Sequence, residues 1–393
     1  MCSIALWPGA TQHKTTQRSQ GWINVSEYLD MRTFRISLTG DFLNETGSCA
    51  YGDIGLSLLD ASPYVRYSFI GGLAPRSNDA DYWLRLYSLE VEHDHIREVN
   101  GLIVLRPWVK LSAFARGAGD LVVIGRSGAG YDKIDLAACT ENDVAVFNAP
   151  HALNHSTASS ALMFMLALAK RLPEQDRITR AGRWDLQAVT LGSEIEGRTL
   201  GIIGLGHSGR ELVRLVAPFR MRVLAYSPHA DPHQATTLGV RLTSLDDLLR
   251  ESDFVSLHCR LTEKTGKLLR REHFDLMKRT AFLVNVARGE LIDQNALVAV
   301  LRERRIAGAA LDVFEHEPIP AADPLTQLDN VILSPHLSCS TTDIWKATGR
   351  AMAEGMLQAA RGQVPANVVN QEVLQRSGFR TKLARFGVNQ SID

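Results

Sequence analysis

Three residue types that can handle a carboxylate and a proton stand at the ends of apolar runs in the second half of the chain. Arg288 closes the run in Val284-Asn285-Val286-Ala287-Arg288-Gly289-Glu290. Acids follow a second run in Ala309-Ala310-Leu311-Asp312-Val313-Phe314-Glu315-His316-Glu317-Pro318, and His336 ends Ile332-Leu333-Ser334-Pro335-His336. An arginine fork matches a carboxylate with two parallel donors. An imidazole changes charge near neutral pH, so it can give and take a proton. Taken singly, each has a plain reading: Arg288 as a surface ion pair, Glu317 as a loop acid, His336 as a loop cap. In open α/β sheets, ligands sit beyond the carboxyl ends of the strands, where three such residues could converge on one crevice. Glu290, Glu315 and His316 read as solvated neighbours.

The sharpest local pattern lies upstream. Gly201-Ile202-Ile203-Gly204-Leu205-Gly206-His207-Ser208-Gly209-Arg210 contains G-x-G-x-x-G at Gly204, Gly206 and Gly209, after an apolar run and before helical spacing. The first glycine permits a tight turn, the second lets backbone approach a pyrophosphate, and the third lets helix and strand pack closely. The helix start adds free N–H groups and a positive dipole end. In strand-turn-helix context, the pattern predicts dinucleotide binding. The acid expected on the adenosine ribose at the end of the next strand is absent. Ser227 stands there, in Tyr226-Ser227-Pro228-His229. An acid would repel a 2′-phosphate, and no arginine adjoins Ser227 to welcome one, so NAD and NADP both stay open. His229 reads as a surface loop residue.

Two blocks of alternating strands and helices position these residues. In the first, Phe34 to Leu38, Tyr67 to Ile70, Leu102 to Leu105, Leu121 to Ile124 and Val144 to Phe147 read as strands, with helical spacing over Ile54 to Leu59. A helix apolar nearly all round, about Ser156 to Arg171, reads as buried. Pro173 and Gly182 mark its end, and a polar stretch runs on to Gly197. In the second block, strands are predicted at Thr199 to Ile203, Arg222 to Tyr226, Phe254 to Leu257, Ala281 to Val286, Ile306 to Val313 and Val331 to Leu333. Helices fit Ser208 to Val216, Leu245 to Arg250, Gln294 to Arg304 and Thr341 to Ala360. Such alternation implies parallel sheets covered on both faces.

The bulk properties narrow the classes. A length of 393 residues suits two domains. The formal net charge is zero, which gives no field favouring nucleic acid or an anionic membrane. The five cysteines are scattered, against a disulfide framework or a cysteine metal site and in keeping with a reducing, cytoplasmic setting. The longest apolar stretch, Leu162 to Ala169, falls well short of the roughly 20 residues a membrane span needs. Residues 1–30 read as a disordered extension without a secretory pattern.

The ordered motifs together resemble the D-isomer-specific 2-hydroxyacid dehydrogenase family over roughly residues 33 to 370. They are the turn from Gly204 to Gly209, Leu257-His258-Cys259-Arg260-Leu261-Thr262, Asn285 to Gly289, Leu311 to Pro318, and Ser334-Pro335-His336. The resemblance implies a Rossmann-type dinucleotide-binding domain, 151–335, inserted in a flavodoxin-like substrate domain, 31–150 with 336–375, leaving 376–393 as a tail. It implies an NAD(P)-dependent enzyme that interconverts a D-2-hydroxy acid and its 2-keto acid. His336 is then the general acid/base, Glu317 pairs with and orients it, and Arg288 holds the substrate carboxylate. No metal is called for.

On the cofactor, the resemblance places Gly204, Leu205, Gly206, His207, Ser208 and Gly209, with Thr157, Ser227, Cys259, Arg260, Val286 and Asp312; Asp312 is expected to bond the nicotinamide carboxamide. Ser156 matches a cofactor-touching position too. Gly125-Arg126-Ser127-Gly128-Ala129-Gly130-Tyr131-Asp132 resembles the family's substrate loop, with the N–H groups of Ala129 and Gly130 facing the carboxylate. Arg106 and Trp108 are expected to shape the specificity pocket. Two departures mark a divergent subgroup: Ser159 stands where the family often has glutamate, and Arg260 where it often has proline. Crevice closure would exclude water around Arg288 and His336. A homodimer is implied, with the helix from Ser156 and the Trp184 passage as its contact. Two alternatives remain: a nucleotide-sensing, corepressor-like interaction protein, or neighbouring chemistry such as formate or phosphite oxidation.

Overall fold

The computed structural model describes residues 33–73 and 81–387; the extension 1–30 lies outside the described residues. The chain forms two compact units. One comprises residues up to Ser127, Lys133–Ala149 and Trp345 onward; the other comprises Gly128–Asp132 and Pro150–Ile344.

The first unit is built on five parallel strands: β1 Phe34–Thr39, β2 Val65–Ile70, β3 Gly101–Val104, β4 Val123–Arg126 and β5 Ala145–Asn148. Their order is β2-β1-β3-β4-β5, the flavodoxin-like order. Both β3 and β5 are buried along their whole length, as a sheet covered on both faces requires. The helix Thr342–Ala360 supplies one cover. Met356 lies so close to Gly101 that a Cβ there would sit 2.6 Å from its sulfur, and Gly125 is pressed by Phe147 and Met352 in the same way. Residues after 375, read from the sequence as a tail, include a helix, Ser377–Ala384. Its Phe379 is buried, and the following Phe386 meets the Phe34 ring edge-on at 4.9 Å. Apolar side chains at helical spacing give this segment a face to bury, so it joins the core of its unit.

The second unit has seven parallel strands: β6 Thr199–Ile203, β7 Arg222–Tyr226, β8 Val240–Leu242, β9 Phe254–Leu257, β10 Phe282–Asn285, β11 Gly308–Leu311 and β12 Val331–Leu333. The order is β12-β11-β10-β9-β6-β7-β8. The chain starts in the middle at β6, builds outward through β7 and β8, then returns to build the other way from β9. That is the doubly wound Rossmann arrangement, with its switch point between β6 and β9.

Two elements of this unit escape the sequence pattern. The strand β8 is a three-residue edge whose outer side chain is Arg241, too short for an alternation to register. The passage after Arg171 is a helix, Leu172–Arg180, where the sequence reading ended helical structure at Pro173. Proline is tolerated in the first helical turn, where its missing N–H has no partner to lose, so Pro173 starts a helix here. The break from the preceding helix, Asn154–Ala169, falls instead at Arg171, whose φ is +54°. That earlier helix buries Ala158, Ala161, Phe164, Met165 and Leu168 on one face and leaves Met163 exposed, so it is less enclosed than its composition suggests.

Among the described residues, no helix is long and apolar enough to cross a membrane, and no group of His, Cys, Asp and Glu is arranged to hold a metal.

Candidate active site

All seven strands of the second unit run parallel, so their following loops share one edge. The turn Gly204–Gly209 leaves β6, Ser227 follows β7, Cys259 and Arg260 follow β9, Arg288 follows β10, Glu317 follows β11 and His336 follows β12.

The three glycines of the turn meet three different constraints. Gly204 has φ +99°, and a Cβ on it would sit 2.6 Å from the backbone nitrogen of Cys259. Gly209 passes so close to Gly204 that a Cβ would lie 2.4 Å from its carbonyl oxygen. Gly206 has nothing within 4 Å of its virtual Cβ, so open space faces the start of the helix His207–Val216. Positive charge gathers there: burial first, then His151, Arg210 and Arg260 push the His207 imidazole below its ordinary value. An open glycine, a helix start and a cationic surround fit a dinucleotide pyrophosphate. Leu205 is buried under the turn. The Ser208 hydroxyl lies 3.1 Å from His258 Nδ1, whose other ring nitrogen meets Ser256 Oγ at 2.9 Å. Burial pushes His258 down to about 4. Burial likewise pushes the Cys259 thiol up to about 11, so Cys259 offers backbone and bulk, not a thiolate. Ser227 is half-buried and His229 exposed.

The loop carrying His336 is tightly held. His336 sits at φ +55°, a left-handed conformation uncommon for a non-glycine residue. Its N–H donates to Asp312 O at 2.8 Å and Ser334 O at 3.0 Å. Asp312, buried, accepts from the N–H groups of Leu337 at 3.0 Å and Ser338 at 2.9 Å, both on Oδ1. One oxygen of Asp312 thus caps the His336 loop, a task beyond the carboxamide contact expected of it. Ser160 Oγ donates to Ser338 O at 2.7 Å, and Ser156 Oγ to Cys339 O at 2.8 Å. Ser156, expected beside the cofactor, therefore has its hydroxyl on the His336 loop. Thr157 is half-buried near the start of the same helix as Ser156. Backbone strain of this kind persists only where surrounding contacts over-determine it, and these contacts do.

Glu317 Oε2 lies 2.8 Å from His336 Nδ1, and its Oε1 accepts from the Phe314 N–H at 3.2 Å. The Arg288 turn is set by buried Asn285, whose amide donates to Arg288 O at 2.8 Å and whose Oδ1 accepts from Ala287 N at 3.0 Å. Gly289 then lets the Arg288 segment touch the Glu317 segment: a Cβ on it would lie 1.9 Å from the carbonyl carbon of Phe314. Val286 is half-buried at the end of β10. Sequence reasoning missed the clamp by Asn285; an asparagine closing an apolar strand three residues before an arginine was its only signal. Glu290 and Glu315 are not the solvated neighbours expected. Burial raises the Glu290 carboxyl, and Glu315 pairs with Lys267 at 2.9 Å. His316 is exposed, as read.

The substrate-loop residues Ala129 and Gly130 belong to this same unit. A Cβ on Gly130 would fall 1.7 Å from Arg288 Nη2, so its backbone lies against the guanidinium. Arg260 donates to Tyr131 Oη at 2.6 Å and stands 5.5 Å from the ring centre.

In the first unit, Arg106 follows β3 and Asp41 follows β1, the switch point of that sheet. Arg106 donates through Nη2 to Tyr51 Oη at 2.9 Å and lies 3.5 Å from Asp41 Oδ2. The other Asp41 oxygen is buried without a partner, and burial raises this carboxyl despite Arg106. The Trp108 indole donates to Tyr87 O at 3.3 Å, and Lys110 and Lys133 flank its ring.

Comparison with known proteins agrees with this geometry. Residues 162–338 match the model of the D-isomer specific 2-hydroxyacid dehydrogenase NAD binding domain. A glyoxylate reductase of Korarchaeum cryptofilum is 42% identical over 261 residues, 66% of this chain and 79% of that protein. A D-3-phosphoglycerate dehydrogenase of Archaeoglobus fulgidus is 37% identical over 78% of this chain, which spans only 60% of that longer protein. A crystal structure from Thermus thermophilus superposes with a TM-score of 0.72 at 30% identity, covering 86% of this chain and all of that one. Fold and site define an oxidoreductase that uses a nicotinamide dinucleotide on hydroxy acids. The chain belongs to the D-isomer specific 2-hydroxyacid dehydrogenase family.

Proposed function

We propose that the protein reduces a small 2-keto acid to its D-2-hydroxy acid, with glyoxylate the first substrate to try, since relatives of high identity are named for it. The observation that carries the reading is the His336–Glu317 pair on the same sheet edge as the glycine turn and Arg288. When bound, the nicotinamide supplies or accepts a hydride at the carbon that bears the oxygen. Arg288 holds the substrate carboxylate by its fork and polarises the adjacent carbonyl. His336 delivers a proton to the keto oxygen as the carbonyl is reduced and takes it back in the reverse direction. With Nδ1 turned to Glu317, Nε2 is the nitrogen for that transfer, and the carboxylate holds the ring in that orientation.

Gly204, Gly206, Gly209 and the start of the helix at His207 hold the pyrophosphate. Thr157, Cys259, Arg260, Val286 and Asp312 line the nicotinamide side, and Ser227 meets the ribose. With no acid at Ser227 and no arginine beside it, the cofactor is NAD or NADP, and the coenzyme comparison below decides which. The unit from Pro150 to Ile344 is the cofactor domain, and the other, which carries Arg106, is the substrate domain. The protein acts in the cytoplasm as a homodimer. Exposed Leu172, Trp184, Val189 and Leu191 offer a second copy an apolar face.

The test is the absorbance of the reduced nicotinamide with glyoxylate, hydroxypyruvate, pyruvate and phenylpyruvate, each with NADH and NADPH, against His336→Ala. Oxidation that collapses in the variant supports the reading. Tight cofactor binding with no turnover on any acid overturns it and points to a sensor. A monomer by light scattering at micromolar concentration overturns the dimer.

A further inference from the structure

The Arg288 guanidinium already meets an acid that the sequence reading did not single out. Its Nε and Nη2 both donate to Asp132 Oδ1, at 3.0 and 2.8 Å, and Nη1 donates to Ala287 O at 2.8 Å. A guanidinium carries five N–H donors in one rigid plane. The Nε–H and the neighbouring Nη2–H form its side edge, and Asp132 closes that edge. The Nη1–H that points back along the side chain is the one able to reach the preceding carbonyl. What remains is one hydrogen on each terminal nitrogen, parallel and facing outward. That outer pair is the two-pronged geometry a carboxylate accepts.

The surrounding residues are shaped to allow this. Gly130 brings its loop against the guanidinium where any side chain would collide with Nη2. The Arg288 side chain is 23% exposed and that of Asp132 34%, so the pair is neither sealed in the core nor free in water. Burial pulls the guanidinium down, but Asp132 first, with Glu317 and Glu290, outweighs it and keeps Arg288 above its ordinary value.

We infer that Asp132 is a positioning residue for Arg288: it holds the side edge of the fork so that the outer edge is preorganised for the substrate carboxylate. This rests on the reading of Arg288 as the carboxylate-binding residue. The substrate then binds beside Asp132 without displacing it. Part of the orientational cost of binding is already met in the free enzyme.

The experiment uses the full chain with saturating reduced cofactor. It measures steady-state reduction of glyoxylate and, independently of turnover, the binding of oxamate, a carboxylate that carries an amide in place of the aldehyde. Asp132→Ala is expected to raise the KM for glyoxylate and the Kd for oxamate about tenfold or more, with kcat less affected. Cofactor affinity and melting temperature should hold. Asp132→Asn keeps an oxygen acceptor and should recover most of the loss. An unchanged oxamate Kd in folded Asp132→Ala overturns the inference, and a tighter one shows that Asp132 competes for the fork. Arg288→Met separates the two claims. If it binds oxamate like the parent, the reading of Arg288 itself fails; if it loses oxamate while Asp132→Ala does not, only the role of Asp132 falls.

Discussion

His336 Nδ1 stands 2.8 Å from Glu317 Oε2, and the two residues come from the loops that follow the neighbouring strands β12 and β11. The pairing fixes which imidazole nitrogen is turned away from the carboxylate. Replacing Glu317 by Gln keeps the shape and removes the carboxylate that holds and orients the ring. The expected result is a fall in kcat of about 10²-fold with little change in cofactor affinity. Steady-state rates alongside cofactor titration by fluorescence check this. A variant with parental kcat would mean that Glu317 only shapes the loop.

The glycine turn allows binding and folding to be separated within one motif. Gly206 has φ −78° and open space around its virtual Cβ, so Gly206→Ala should fold and melt as the parent does. Its methyl group would occupy the space a pyrophosphate needs, and cofactor Kd should rise about tenfold or more. Gly209→Ala places a methyl 2.4 Å from Gly204 O. The helix and strand must part, at a cost of about 1–3 kcal/mol. Calorimetric melting and cofactor titration of both variants give the comparison. Equal melting losses in the two would contradict the assigned division of roles.

That division explains what could be read from the chain beforehand. The strands β6, β7, β9 and β12 coincide with their apolar runs; β6 and β9 are buried along their whole length, and such a strand needs an uninterrupted run that glycine or polar residues punctuate. The glycine turn, Arg288, Glu317 and His336 were legible for a related reason: strand ends are local, and parallel strands bring their ends to one edge. The contacts that hold those residues were not legible. Asp132 reaches Arg288 across 156 positions, and Ser160 reaches Ser338 across 178; no local period records either. The bare backbone of Gly289 is what lets the Arg288 and Glu317 segments touch, a contact that no spacing in the chain records. The edge strand β8 and the helix opening at Pro173 were lost to shortness and to a proline in a permitted position.

Ser227 offers a direct test of cofactor choice. It follows β7 where a carboxylate would bond the ribose hydroxyls and repel a 2′-phosphate. Ser227→Asp should lower kcat/KM with NADPH at least about tenfold relative to NADH. The ratio of the two coenzymes, measured on one keto acid, is the readout. A ratio that does not move would place the ribose elsewhere.

His258 makes the fold itself sensitive to acid. Its ring nitrogens meet Ser208 and Ser256, and burial depresses its pKa from 6.5 to about 4. The sign follows from which state takes the proton. Between about pH 6.5 and 4 the unfolded chain binds a proton at this position and the folded chain does not, so the unfolded state gains as pH falls. The stabilisation associated with neutral His258 is therefore complete above about pH 6.5 and is lost through that window, an upper limit of about 3 kcal/mol. His258→Gln can still bond a serine hydroxyl but does not titrate. Its melting temperature should be lower than the parent's at pH 7.5, and it should fall less steeply on acidification to pH 4.5. Because Ser208 lies at the start of the helix at the glycine turn and the folded chain keeps His258 neutral down to about pH 4, the folded parent's cofactor affinity should hold across that window and weaken through His258 only as pH falls through about 4. Parallel melting curves for the two proteins across that range would show that His258 is solvated enough to accept its proton in the folded state.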